Sequence, residues 1–422
     1  MLKKFFFTLV AFTVACSGLM AAEEVKIGLN YPQTGPYATQ GQDELRAAEL
    51  AAEEINAAGG ILGKKIVLVT RDTMSKPDVA VKNAAELIDM GAQMIFGGVS
   101  SGVAKSVAEV CQQKGVLFMA TVAASNDITD ENGHRYSFRV CYNAWMSAKA
   151  LGKYMRRTFA GKKYFYITAN YSWGNSSEES LRKFTGTTDM QVHKVAKTPF
   201  PVATDEDFAK AAAIAKQANP DVLVLVLFGD DMAKGINAAI AAGLKKKCKI
   251  VVPILELALA EKAGPQAMEG VLGTSDWNWA IPYKYNYTEG ISFVKKFAAK
   301  HNRYPCWGAS SAYTNLHQYA SAVKRAKSFK SAAVVKALEG HSFTLLKDQQ
   351  QWRDFDHQNV QSVYIVQCKP AADIEKDPLK QDYFEILQKY TGPEVVKTKA
   401  EWDATRAAVN KSAQLEPLDG GK

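Results

Sequence analysis

The residues best suited to chemistry lie in one short stretch. Met94, Ile95 and Phe96 make an apolar run, Gly97 and Gly98 break it, and Val99, Ser100, Ser101 and Gly102 follow. Val103, Val107 and Val110 then keep helical spacing. A strand, a sharp turn and a helix start suit three uses. Either serine can cap the helix. The free N–H groups and partial positive charge of a helix N-terminus, with a hydroxyl beside them, can hold a carboxylate. Gly98-Val99-Ser100-Ser101-Gly102 also fits the G-x-S-x-G nucleophile elbow of a serine hydrolase. That last use needs an acid and then a histidine downstream. Of the six histidines, His357, after Asp354 and Asp356, is late enough to be considered, and its neighbours read as a polar turn. There is no His-Gly-Gly-Gly oxyanion motif, and the serine follows only three strands, so anion binding is favoured over catalysis.

The surrounding elements alternate. Strands are expected at 25–29, 66–70, 94–96 and 116–120, with helices at 43–57, from Pro77 through Ile88, and after Ser101. A second run follows: a strand at 136–140, a helix at 144–159, and a strand at 163–168. A helix at 205–218, a strand at 221–228 and a helix ending near Ala242 come next, then strands at 249–252 and 271–274. The run Val222-Leu223-Val224-Leu225-Val226 is apolar throughout, as in the centre of a parallel sheet. This alternation predicts an α/β protein of two doubly wound parallel-sheet lobes. The third part is mixed: helices at 286–300, 307–327 and 332–338, and a strand at 364–366. A charged tail with a helix near 401–409 and a frayed end completes it. Ligands of open α/β sheets lie beyond the strands' carboxyl ends. The loops there are 32–40, 97–102, 121–126, 170–174 and 228–231. They carry Ser, Thr, Asn and aromatic residues, which suits a small polar ligand with an apolar part.

Composition narrows the class. The 422 residues are 47% hydrophobic and 23% charged, as in ordinary globular domains. The formal charge is +9, but the lysines are scattered apart from Lys245-Lys246-Lys247, so nucleic-acid binding is not expected. Lys3 and Lys4, an apolar stretch from Phe5 to Ala15 and the small residues Met20-Ala21-Ala22 read as an export signal. Cys16 offers a lipid-attachment site, but Thr13 is a poor lipobox residue, so a free exported protein is preferred. The five later cysteines (Cys111, Cys141, Cys248, Cys306 and Cys368) contain no C-x-x-C, which argues against zinc, and an odd number leaves one outside any intrachain pair. Asp230-Asp231 reads as a helix start rather than a metal site. No cofactor is expected.

In this order the residues resemble the exported solute-binding proteins of the branched-chain amino acid type, partners of ABC importers. The resemblance is carried by Thr34-Gly35-Pro36-Tyr37, Gly41, the segment from Asn56 to Gly63, and Asp72. Gly97 to Ser101, Gly115-Val116-Leu117 and Ala123-Ala124-Ser125 continue it, with Tyr171 to Gly174 and Asp221 to Phe228. It covers residues 25–370 and implies the type I periplasmic-binding fold, with three crossovers near 140–143, 276–279 and 344–352. The implied division is a signal at 1–22, lobe 1 at 23–141 and 277–345, and lobe 2 at 142–276. A hinge return and lobe 2 end occupy 346–370, and an extension 371–422. The lobes would close as a monomer on a ligand and dock on permease subunits in the periplasm.

The resemblance also implies ligand residues. Ser101 takes a carboxylate, with Ser100 beside it, and Val122, Ala123 and Ala124 take the carboxylate and α-amine. Ala124 stands where the family often has a hydroxyl, next to Ser125. Trp173 and Phe228 supply second-lobe aromatics, and Gln40 stands where a first-loop aromatic is usual, with Tyr37 in reach of the same space. The acid that meets an α-ammonium falls at Ile254, two positions before Glu256. Tyr171, Trp277 and Trp279 add flat apolar surface. The cysteines that some relatives pair fall near Met74 and on Ser100, so that disulfide is not expected. Two ligand classes follow: a branched-chain or similar amino acid, and an aromatic or aliphatic carboxylate or amide lacking the amine.

Overall fold

The computed structural model describes residues 23–418. The export signal, Cys16 and the last four residues lie outside them. Five parallel strands make the first sheet, in the order β2-β1-β3-β4-β5. They are β1 (Glu24–Tyr31), β2 (Lys65–Asp72), β3 (Met94–Gly97), β4 (Leu117–Ala120) and β5 (Ser137–Arg139). Between them run α1 (Ala38–Ala57), α2 (Pro77–Asp89) and α3 (Ser101–Lys114). Local sequence sets the boundaries. Pro77 occupies the first turn of α2, where its missing N–H costs nothing. Gly115, at φ 65°, ends α3 in the left-handed conformation.

The chain then enters lobe 2 with α4 (Ala144–Thr158), β6 (Tyr164–Ala169), α5 (Ser172–Thr185) and β7 (Val195–Thr198). It continues through α6 (Asp205–Ala218), β8 (Val222–Val226), α7 (Asp230–Ala241) and β9 (Lys249–Ile254). The short α8 (Leu257–Ala263) and α9 (Pro265–Met268) precede β10 (Leu272–Ser275). Thr204 and Asp207 form a reciprocal capping box on α6, and all five residues of β8 are buried. The chain returns through α10 (Ala280–Tyr285), α11 (Thr288–His301), α12 (Trp307–Ala326) and α13 (Ser331–Leu338). A small antiparallel sheet follows, made of β11 (Ser342–Phe343), β12 (Gln350–Trp352) and β13 (Asn359–Val360). Last come β14 (Val363–Cys368), α14 (Ala371–Ile374), β15 (Phe384–Tyr390), α15 (Gly392–Val395) and α16 (Lys399–Ala407).

The structure differs from the sequence reading in several places, among them the 14-residue helix α5, which the sequence reading lacks. The strand at 136–140 belongs to the first sheet, where β5 pairs with β4, not to the second set. The second sheet, ordered β15-β14-β10-β9-β8-β6-β7, is mixed, because β14 and β15 run antiparallel. β7 and β15 are strands that the sequence pattern does not mark. β7 is four residues of mixed character at the sheet edge, and β15 lies in the charged tail. Finally, residues 344–352 do not cross between lobes. Phe343, Leu346 and Trp352 are buried in the lobe 1 core, so the return falls at residues 361–362. Among the described residues no helix is long and apolar enough to cross a membrane.

Both sheets reverse their winding at one point. In the first sheet this is between β1 and β3, and in the second between β6 and β8. Loops that leave on either side of such a point enclose a crevice. The two crevices face each other between the lobes.

Candidate functional site: an interlobe cavity

A small, nearly filled cavity of about 10 Å³ lies where the two crevices meet. Lobe 1 supplies Val99, Ser101, Val122, Ala124 and Trp307, and lobe 2 supplies Tyr171, Trp173, Phe228 and Ile254. Residues 98–101 follow β3 and residues 170–173 follow β6, so the switch-point loops deliver much of the lining.

One side carries hydrogen-bond donors. Gly97 and Gly98 have φ of 122° and 84°, and a Cβ on Gly97 would stand 2.3 Å from the Asn30 carbonyl oxygen. Only glycine can make this turn. It aims the start of α3 at the cavity. Ser100 is the N-cap residue, yet its hydroxyl makes no capping bond. The amides of Ser101, Gly102 and Val103 have no acceptor among the described residues, nor do those of Val122, Ala123 and Ala124. The Ser101 hydroxyl accepts the Ser125 amide at 3.3 Å. It keeps a proton to donate. Hydroxyl and unpaired amides together suit a carboxylate.

The other side is aromatic. Phe228 lies 5.9 Å from Trp173, 6.2 Å from Trp307 and 5.5 Å from Tyr37, each edge to face. Tyr171 stacks on Phe200 at 4.0 Å, and its hydroxyl meets that of Tyr37 at 2.9 Å across the lobes. Such pairs favour flat, apolar guests and rigid walls. The buried Trp173 indole N–H has no partner among the described residues.

Among the described residues no acid lines the cavity. Ile254 occupies the end of β9. Glu256 caps α8 instead, accepting the Ala258 and Leu259 amides at 3.2 Å and the Gln40 amide at 2.7 Å. Burial pushes its carboxyl up to about 7. Asp231, behind the Tyr37–Tyr171 pair, is also raised by burial, to about 6. Asp276 is raised by burial as well, though Lys347 opposes this.

Of the residues expected from sequence, Ser101, Val122, Ala124, Tyr171, Trp173, Phe228 and Ile254 come together around the cavity. Tyr37 packs behind the aromatic wall. Gln40 and Glu256 bind each other instead of facing the cavity. Ala123 is buried in the lobe 1 core, and Ser100 lies beside the lining. The Ser125 hydroxyl bonds Asp127 and lies 3.1 Å from that of Ser172, across the cleft. Trp277 is not at the site: it packs on Phe293 at 5.8 Å in the lobe 1 core, because the chain has already crossed back there. Val99, Trp307 and Phe200 were missed. Trp307 opens α12, two hundred residues from Ser101 in sequence, and no local pattern marks it.

The hydrolase geometry is absent. The His357 ring stacks on Phe138 at 3.9 Å and lies 3.0 Å from Glu339 and from the Ser137 carbonyl. No described histidine bonds Ser100 or Ser101. The five described cysteines are all buried and free. Asp230 pairs with Lys262.

Two lobes that meet around one cavity suit a ligand-binding protein. Comparison with known proteins agrees. The family model described as periplasmic binding protein matches residues 24–373, and the chain belongs to that family. It is 25% identical over 402 residues to Leu/Ile/Val-binding protein homolog 4 of Brucella melitensis, covering 91% of this chain and 94% of that one. A crystal structure of a periplasmic binding protein from Burkholderia mallei superposes with a TM-score of 0.81 at 24% identity, covering 92% of this chain and all of that one. A solute-binding protein of an ABC transporter from Rhodopseudomonas palustris, in complex with 3,4-dihydroxybenzoic acid, gives 0.76 at 20% identity, with coverage of 89% and 98%. The protein is thus a solute-binding protein and not an enzyme.

Proposed function

We propose that this protein captures a small carboxylate with a flat apolar body and delivers it to an ABC importer permease in the periplasm. The carboxylate rests on Ser101 and the amides of residues 101–103 and 122–124, and Trp173, Phe228 and Tyr171 close over the body. The observation that carries the amine-free reading is Ile254, an apolar sec-butyl wall where an α-ammonium would need an acid. Glu256 is engaged by Gln40 and the first amides of α8, and a buried ammonium without an acid beside it is costly. The solute-binding protein bound to 3,4-dihydroxybenzoic acid shares the fold.

A branched-chain amino acid is the second reading, favoured by the relatives named Leu/Ile/Val-binding. It requires Glu256 to leave Gln40 and turn to the ligand. Calorimetry with benzoate, 4-hydroxybenzoate, 3-methylbutanoate and L-leucine separates the two. Tight binding of the amine-free acids supports the first reading. L-leucine binding with none of the others overturns it. Ile254→Glu supplies the missing acid and is expected to weaken benzoate by about tenfold or more while admitting L-leucine.

A further inference from the structure

Arg139 ends β5 and is wholly buried. Its partners are all neutral. Nε donates to Gln358 Oε1 at 2.8 Å, Nη2 donates to Thr129 Oγ1 at 2.6 Å, and Nη1 donates to the carbonyls of Ser125 and, at 3.4 Å, Ala123. No carboxylate pairs with it among the described residues. Asp127, Asp130 and Asp356, the acids nearest in its field, hold Lys105, Lys397 and Arg353 respectively. A buried cation without a counterion is costly, and it raises the affinity of its surroundings for an anion.

The loop that Arg139 grips borders the cavity. The guanidinium fixes the Ala123 and Ser125 carbonyls, and the Ala144 amide holds the Ala124 carbonyl at 2.7 Å. The amides of Val122 and Ala124, both cavity-lining residues, stay free. Gln358 carries the grip onward: its side-chain amide donates to the Cys141 carbonyl at 2.7 Å, on the first crossover.

We infer that Arg139 is a positioning residue for ligand carboxylates: it presets the backbone of residues 122–125 and places behind them a buried positive charge that no carboxylate contacts directly, without touching the ligand. This rests on the carboxylate reading of the cavity. It predicts discrimination by charge, which a merely structural role would not produce.

The test uses the full exported chain and matched pairs of probes, benzoate with benzamide and 3-methylbutanoate with 3-methylbutanamide. Arg139→Met is expected to weaken the carboxylates about tenfold or more and the amides less than about threefold, and Arg139→Lys to recover part of the carboxylate loss. Thr129→Val removes one acceptor of the guanidinium and no other side-chain bond of Thr129. It serves if Arg139→Met does not fold, and is expected to shift the carboxylate-to-amide ratio in the same direction by a smaller factor. An unchanged ratio in every folded variant overturns the role of Arg139. Failure of the unsubstituted protein to bind any of the carboxylates instead overturns the reading on which it rests, and the role with it.

Discussion

Ser101 is the side chain on which the ligand model turns. It combines a hydroxyl at the cavity wall with the first free amide of α3. Ser101→Ala should weaken a carboxylate ligand by about 1–3 kcal/mol, as for a lost bond to a charged group. Unchanged affinity by calorimetry would remove it from the site. Glu44 makes a different prediction. It is wholly buried, its Oε1 accepts from Thr121, its Oε2 has no partner among the described residues, and burial raises its carboxyl to about 8. The folded protein therefore keeps a proton that the unfolded chain loses above about 4.5. Stability from this group is full below that pH and is lost as pH rises toward 8, at about 1.4 kcal/mol per pH unit. Glu256, raised to about 7, acts in the same direction. Glu44→Gln should flatten the fall in urea midpoint between pH 5 and 8. An equally steep fall in the variant would assign the pH dependence elsewhere.

At the scale of elements, the decisive unit is the β3–α3 turn. β3 lies between β1 and β4, so its end is fixed by two neighbours. The chain must bend there within two residues to place α3 over the crevice. Gly97→Ala puts a Cβ against the Asn30 carbonyl in a conformation that side chains avoid. A loss of about 2 kcal/mol or more is expected, visible as a lower melting temperature, together with weaker ligand binding as α3 shifts. A variant that melts with the native protein would show that the turn can relax.

The whole molecule is held by more than its three crossovers. Beyond residue 373, where the family match ends, the chain adds β15 to lobe 2 and lays the turn after it on α4. There Lys153 and Lys149 donate to the Glu394 and Val396 carbonyls at 3.2 and 3.1 Å. The next residues grip lobe 1. Lys397 pairs with Asp130, and the Trp402 indole donates to the Thr129 carbonyl at 2.8 Å. The Glu416 carboxylate accepts the Arg135 amide at 3.0 Å. The extension is therefore a fourth link between the lobes, anchored on the loop that also holds Arg139. Trp402→Ala, at a wholly buried position, should cost about 3–5 kcal/mol in urea unfolding. A loss under about 1 kcal/mol would mean the strap adds little to the fold.

The alternating pattern of strands and helices determined the α/β class, because apolar periodicity and caps act over a few residues. Pro77, Gly115 and the run from Val222 to Val226 each behave as their local chemistry requires. The anion end of the cavity was legible for the same reason: Gly97 to Ser101 is contiguous, and the turn it encodes is local. The tail was misread because the charges of β15 mask a strand whose partner, β14, is supplied only by the assembled sheet. Trp307 as a wall, Trp277 as core, the Gln40–Glu256 bond and the grip of Arg139 on its loop were decided by tertiary structure alone. Each depends on which residues from distant parts of the chain meet when two lobes close, and no spacing in the sequence records that distance.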